Sequence, residues 1–216
     1  MGNRPHRLDM TMMYAVHDAL RREAEHIARL SARAGDDPWR VLRTAAGWEM
    51  FKAYLRVHHT TEDDVLWPAM HEALTERPDG LALLEVMEAE HAAIDPLLRG
   101  IDAALADRDR GPELLGGLTD ALATLLHRHL KHEEDEALPL IDATLTEGHW
   151  RRFGDEHRTR IGADARRYLP WVLDGASPER VAAVLGRLPE ELRAAYADEW
   201  RPAYARLDRW GAGVSA

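Results

Sequence analysis

Two stretches of this sequence place a histidine four residues before a glutamate. VHHTTEDDVLWP contains His58 and Glu62, and RHLKHEEDEALP contains His129 and Glu133 at the aligned places. Along a helix, a spacing of four residues turns a side chain by only about 40° and moves it by about 6 Å, so both donors can reach one ion. Imidazole and carboxylate groups are common ligands of transition metals. The repeated pair therefore predicts metal binding.

A further histidine precedes each pair at a similar interval. His17 stands before His58, and His91 stands before His129. From each of these histidines the chain runs about 26 Å to the end of one predicted helix, and then about 26–30 Å back along the next. The four imidazoles and the two carboxylates thus return to one level. A lone histidine or one surface pair is usually structural, but six donors at one level favour a metal site.

Four long helices are needed to hold these donors at one level. The breaks AGDDPW, ERPDG and DRGP separate helix-forming segments, with Asp37 a predicted N-cap and Pro38 at a first helical position. Short connections between long helices imply antiparallel neighbours. We therefore predict an all-α, up-down-up-down four-helix bundle. Its helices are expected at roughly 10–34, 38–75, 80–108 and 112–146.

The faces that carry the donors are otherwise apolar. Phe51 and Leu55 share a face with His58, and Leu122 and Leu126 share a face with His129. A carboxylate on such an inward face is costly unless it is paired or bound to a cation. A bound metal would remove that cost.

The composition changes near residue 148, where Trp, Tyr, Arg and Pro become frequent. We predict a bundle over 1–147 and a C-terminal helical extension over 148–216 that packs on or beside it. Ser177 and Pro189 are expected to begin helices in this extension. The extension shows no obvious chemistry of its own.

The overall composition limits the possible functions. The chain has 216 residues, with 28 basic against 38 acidic side chains and a formal net charge of −10, which argues against nucleic acid as a partner. It has no cysteine, so any metal must use nitrogen and oxygen ligands. We expect no membrane association, because no apolar run reaches 18 residues. The start MGNRPHRLDM lacks the apolar core of a secretory signal, and we expect a cytoplasmic protein.

A His followed by His-x-x-x-Glu before a proline, repeated once, resembles the hemerythrin-like (HHE cation-binding) family over about residues 10–147. The resemblance implies two iron ions in a non-haem diiron centre that binds or reacts with O₂, peroxide or NO. It further implies four terminal imidazole ligands and two bridging carboxylates, although manganese or zinc would fit the same donors. These residues are His17, His58, His91, His129, Glu62 and Glu133.

Two positions depart from the oxygen-carrying members of that family. Those members have a fifth histidine where this chain has Asp95, and His-x-x-x-x-Asp where it has Glu133 and Glu134 at +4 and +5. The pattern is therefore closer to sensors, stores or scavengers than to oxygen carriers. A diiron oxygenase or peroxidase-like enzyme is the alternative, and a metal-stabilised interaction module is a third hypothesis. Monomer and homodimer are both open.

Three residues are secondary candidates. His59 is either a flanking ligand or partly exposed, and exposure is favoured. Asp95 lies four residues after His91 and is expected on the ligand face, as a direct donor or a partner of an imidazole. Tyr54 could donate a hydrogen bond to a bound oxygen species, although packing is the commoner role. Weaker candidates are Glu88 and Glu136, and the histidines expected on the surface are His127, His132, His149 and His157.

Overall fold

The computed structural model describes residues 6–32, 42 and 45–210. This part of the chain is helical and contains no β-strand, which confirms the predicted all-α, up-down-up-down bundle with a C-terminal helical extension. The predicted start of the second helix, at Asp37 and Pro38, lies outside the described residues. The bundle contains α1 (Thr11–Ser31), α2 (Ala46–Thr61), α3 (Trp67–Ala73), α4 (Pro78–Ala106), α5 (Gly111–His132) and α6 (Leu138–Thr144).

Short connections and helix-starting residues position the bundle helices. Pro78 occupies a first-turn position of α4, where its missing N–H costs nothing, and Pro112 does the same in α5. α4 packs along α5, and α5 packs along α1. The predicted ends of these helices lie within a few residues of the observed ones, except for the start of the second helix, which falls outside the described residues.

The second and fourth bundle helices are both interrupted by a π-helical turn, which the sequence did not predict. The turns are Glu62–Leu66, between α2 and α3, and Glu133–Ala137, between α5 and α6. Each begins at the glutamate of a His-x-x-x-Glu pair, and Pro68 or Pro139 follows it. Proline crowds the carbonyl four residues earlier, so a regular α-helix cannot continue through it. π turns of this kind often lie at functional sites.

Two apolar clusters fill the bundle, one on each side of the predicted donor level. Phe51, Leu55 and Leu122 belong to the larger cluster. Trp67 and Met70 belong to the smaller one. The donors between them are therefore surrounded by packed hydrocarbon, where charge interactions are stronger than in water.

The extension consists of short helices that pack against α1 and α2. Ser177 caps one of them by accepting a hydrogen bond from the Arg180 N–H, and Pro189 precedes another, as predicted. The division into 1–147 and 148–216 stays a prediction. The helices are α7 (Glu147–Ile161), α8 (Ala165–Leu173), α9 (Pro178–Leu185), α10 (Glu190–Ala195) and α11 (Arg201–Ala205), with a π turn at Tyr196–Trp200.

None of the described helices combines the length and the apolar character that crossing a bilayer requires.

Candidate metal centre

The structure brings the six predicted donor side chains together in the middle of the bundle. All six are buried, and none is more than 6% exposed. α1 and α4 each supply one histidine, whereas α2 and α5 each supply a histidine and run into the π turn that begins with a glutamate. The residues are His17, His58, Glu62, His91, His129 and Glu133.

The four histidines form two pairs. The Nε2 atoms of His17 and His58 lie 3.1 Å apart, and those of His91 and His129 also lie 3.1 Å apart. Two nitrogen ligands on one ion, each about 2.0–2.1 Å from it, have a similar separation. Each pair is therefore spaced to share one metal ion.

The two glutamates lie between the histidine pairs. Glu62 directs one oxygen to each pair, because Oε1 is 3.4 Å from His58 Nε2 and Oε2 is 3.6 Å from His91 Nε2. Glu133 Oε2 is 3.3 Å from His17 Nε2 and 4.0 Å from His129 Nε2. Yet all four carboxylate oxygens are buried, and among the described residues none of them has a hydrogen-bond partner. Such orphaned acceptors are rare in proteins, and a cation between the pairs would satisfy them.

Burial and mutual repulsion disfavour charge in this centre. Burial and the neighbouring Glu133 raise the pKa of the Glu62 carboxyl well above its usual range. Burial and the surrounding imidazoles lower the pKa of His58 well below its usual range, so His58 is neutral at pH 7. A neutral imidazole is the form that binds metal. The donor set therefore fits a cation better than it fits an empty polar core.

Three outer carboxylates hold the histidines on the side away from the centre. Nδ1 of His17 donates to Glu134 at 2.9 Å, and Nδ1 of His91 donates to Asp63 at 2.7 Å. Glu134 and Asp63 each directly follow a predicted glutamate ligand. Such carboxylates fix the tautomer of an imidazole and aim its other nitrogen at the metal. The sequence signal was the second acidic residue in each repeat, which the prediction had not used for this role.

The third outer carboxylate is Glu90, which the sequence analysis missed. It accepts from Nδ1 of His129 at 3.0 Å and lies 3.2 Å from Nδ1 of His132. These bonds outweigh the opposing effect of burial and lower the pKa of Glu90. His132 is accordingly half-buried, and its predicted surface position is only partly correct. Its position directly before His91 was the feature of the sequence that could have identified it.

His58 differs from the other three histidines. Among the described residues, no carboxylate lies within hydrogen-bonding distance of its Nδ1. Glu90 directly precedes His91 and bonds to the other histidine of that pair. The residue that directly precedes His17 is Val16, which cannot bond to His58 in the same way. Val16 and His58 instead line an apolar cavity. The two halves of the centre therefore have different surroundings.

The favoured exposure of His59 was wrong. Its side chain is buried, and its ring stacks on that of His91, with the centroids 4.0 Å apart. No described residue bonds to its Nε2, and His59 forms a group with His91 and His129 that could hold a metal ion. Successive residues of an α-helix point about 100° apart, so His58 faces one pair and His59 faces the other. The structure therefore offers five imidazoles, where the sequence analysis counted four.

The expected position of Asp95 on the ligand face was also wrong. The side chain is exposed, and its carboxylate lies 3.8 Å from Arg99 on the same helix. Tyr54 is buried, but its hydroxyl donates to Asp164 of the extension at 2.6 Å and so does not point into the centre. Tyr54 has a packing role, against Tyr168 and Trp171.

His157 was predicted on the surface but lies beside the centre. Its ring centroid is 6.4 Å from that of His58, and it lines the same apolar cavity. Burial, together with the nearby Arg160, lowers the pKa of His157 to about 4. The extension therefore contributes to the site, contrary to expectation. The other secondary candidates, His127, His149, Glu88 and Glu136, are exposed.

A comparison with protein families agrees with this geometry. The family model described as the hemerythrin HHE cation binding domain matches residues 9–141 of the chain. That range includes all six predicted donors, as well as His59 and the three outer carboxylates. It ends before α7. Among curated proteins and solved structures, none matches the chain.

Proposed function

Because the chain belongs to the hemerythrin HHE cation-binding domain family, we propose that its buried centre holds two iron ions and binds O₂, peroxide or NO as a sensor, store or scavenger. The ligands in this proposal are the six predicted donors. His59 is added as a fifth imidazole, on the side of His91 and His129. The cation-binding character of the family supports the presence of a metal, whereas iron and its gaseous or peroxide ligands are our inference.

One observation carries the proposal. The four buried carboxylate oxygens of Glu62 and Glu133 find no hydrogen-bond partner in the part of the chain that the structure describes. They lie between two histidine pairs of matching geometry. An unpaired buried carboxylate costs several kcal/mol, so a fold that retains two of them side by side needs a compensating cation. Glu62, with one oxygen toward each pair, would bridge the two ions.

The donor set limits which metal ions could bind but does not identify one. Imidazole and carboxylate ligands suit iron, and also manganese or zinc. Iron bound here would supply redox chemistry together with coordination places for O₂, peroxide or NO. Burial lowers the pKa of His58, His59 and His129 and so favours their neutral forms. The chain also orients three imidazoles through outer carboxylates and excludes water with apolar clusters on both sides.

A fifth imidazole changes the comparison with oxygen carriers. The sequence analysis placed the missing histidine at Asp95, which is exposed. His59 supplies a nitrogen from α2 to the same half of the centre. The centre then has one histidine more than the sequence suggested. Reversible O₂ binding therefore becomes part of the proposal.

A diiron oxygenase or peroxidase-like enzyme is the second candidate. The cavity that ends at His58 favours it, because a substrate could lie next to the centre. Under this hypothesis the reduced protein consumes O₂ or peroxide continuously in the presence of a reductant. A sensor or store gives one stoichiometric spectral change and then stops.

Elemental analysis tests the proposal directly. Protein produced with iron is expected to contain two iron ions per chain, and His58→Ala is expected to lose one and weaken the other. Asp95→Ala is the matched control, since the exposed Asp95 side chain should not affect the metal. Iron-grown protein without metal, or equal loss of metal in Asp95→Ala, would overturn the assignment. Cytoplasmic location, the absence of a nucleic-acid or membrane partner, and the oligomeric state stay predictions.

A further inference from the structure

An apolar cavity of about 520 Å³ lies between the bundle and the extension. This volume is within the range of roughly 300–1,000 Å³ that is typical of pockets for small organic molecules. Its walls come from α1, α7, α8 and the π turn that ends at Trp200, with single residues from α2 and α10 and two from the segment between α9 and α10. Most of the side chains are hydrocarbon or aromatic, among them Met13, Val16, Phe153, Leu169 and Trp200.

The inner end of the cavity offers a small polar group beside the candidate metal centre. His58 and His157 both line it, and Tyr168 stands next to them. The Tyr168 hydroxyl and His157 Nε2 lie 3.5 Å apart, which is long for a hydrogen bond. Both groups are therefore free enough to bond to a ligand hydroxyl.

The outer end carries two arginines, but each of them already has an acidic partner. Arg158 pairs with Asp155, and Arg187 pairs with Asp9. The rim thus offers no uncompensated positive charge to an anion. Leu192, which is 41% exposed, adds apolar surface to the same end. These features favour an uncharged ligand.

Most of the cavity wall lies outside the part of the chain that the family model matches. That match ends at residue 141, whereas the walls from α7, α8 and the π turn begin at Phe153. Without the extension, Val16 and the His58 side of the bundle would face solvent. The extension therefore provides a partly enclosed apolar space that the bundle alone does not have.

We propose that this cavity binds an uncharged alcohol or phenol with an apolar body, with its hydroxyl at His157 and Tyr168 and its carbon skeleton along Met13, Val16 and Trp200. Binding itself requires no metal. The ligand's position next to a metal ion rests on the proposed function, in which it would identify the substrate class of the enzyme alternative.

Calorimetric titration with 1-octanol and 2-naphthol tests the binding. Both probes are expected to bind the metal-free and the iron-loaded protein. Octanoate, which matches octanol in chain length but carries a charge, should bind at least tenfold more weakly. Absence of octanol binding to both forms would refute the cavity proposal, and octanoate binding as tightly as octanol would refute the uncharged ligand class.

Two glycines give a matched set of variants. Gly154 lines the cavity, and a Cβ added there meets no atom within 4 Å; the same holds for Gly117 on α5, far from the cavity. Gly154→Leu and Gly154→Trp should weaken octanol binding progressively, by at least tenfold for the larger side chain. Gly117→Leu and Gly117→Trp should remain within twofold of the parent, with circular dichroism confirming the fold. Equal binding by both series would place the ligand elsewhere and overturn the proposal.

The metal-free measurement separates the two proposals. If octanol binds but no iron can be loaded, the proposed function fails and the cavity stands. If iron loads and octanol does not bind, only the cavity proposal fails. In the iron-loaded protein, bound octanol should show paramagnetic broadening of its NMR signals. Unbroadened signals from bound octanol would contradict its placement beside His58.

Discussion

The two halves of the centre have the same donor pattern but different surroundings. Near His91 and His129, the outer carboxylates Asp63 and Glu90 hold both imidazoles, and His59 adds a third ring. Near His58, the residue that corresponds to Glu90 is Val16. An apolar cavity, instead of a carboxylate, lies beside the His58 ring.

This difference indicates how the centre divides its tasks. An imidazole that donates to a carboxylate is fixed in orientation and is a stronger ligand, so under the proposed function the His91 half would bind its metal ion more tightly. The His58 half has a less restrained imidazole and open apolar space beside it. We infer that small molecules approach from the His58 half. Under the proposed function, the repeat would locate the metal ions, and the asymmetry of its surroundings would locate the route by which small molecules reach them.

Replacing the shared carboxylate should have the largest effect, because Glu62 faces both halves. Glu62→Gln is expected to lower metal affinity by more than the roughly 10–100-fold typical of an outer-shell change. The metal-free variant should be more stable than the parent at pH 7, because burial raises the pKa of the Glu62 carboxyl and the amide has no charge to bury. This advantage should shrink at acidic pH, where the carboxyl is protonated in the unfolded chain too. Elemental analysis and chemical denaturation measure the two quantities. A variant that keeps both metal ions would show that Glu62 does not bridge.

Removing the fifth imidazole should affect one half only. His59→Ala is expected to weaken the metal next to His91 and His129 and to leave the metal at His17 and His58 in place. Mössbauer spectroscopy of iron-loaded protein can distinguish two unequal iron ions from one. Unchanged spectra would mean that His59 only packs against His91.

Removing an outer carboxylate should have an intermediate effect. Glu90→Gln loses the charged acceptor of His129 and should reduce metal affinity by roughly 10–100-fold. Glu88→Gln is the matched control, because Glu88 is on the same helix and is exposed, and its one bond within residues 6–32, 42 and 45–210 is to His71, at 3.2 Å. If both variants lose metal equally, the role assigned to Glu90 is wrong.

The smallest effect is expected on the cavity side. His157→Ala should keep the full metal content, with a change in affinity below the roughly tenfold minimum of an outer-shell partner. It should nevertheless alter the binding of azide to the iron-loaded protein, because the ring beside His58 is removed. Loss of one metal ion in this variant would show that His157 is a ligand and that the two halves are more alike than the structure indicates.

The sequence predicted most of the bundle because its signals are local. Helix period, proline and glycine breaks, and a repeated His-x-x-x-Glu pair are properties of neighbouring residues. They placed the four helices and the six donors without any knowledge of packing. The second acidic residue in each repeat, Asp63 and Glu134, was visible too, although its contact with a histidine on another helix was not.

The remaining assignments depended on how helices rotate and pack against each other. Asp95 follows His91 by four residues, yet a further 40° of rotation turns it to solvent, because His91 already lies near the edge of the buried face. His59 illustrates the reverse case, since it points away from His58 and reaches the other pair. A single helix cannot specify which of these occurs.

The chain alone thus determined an all-α bundle and a set of donors at one level, because periodicity and spacing act within a helix. Tertiary structure alone decided the fifth imidazole, the partner of each histidine and the cavity formed by the extension. Those features join residues more than 25 positions apart, such as His91 with Asp63 and His58 with His157. Their contacts are set by packing over the whole core, which no local pattern in the sequence encodes.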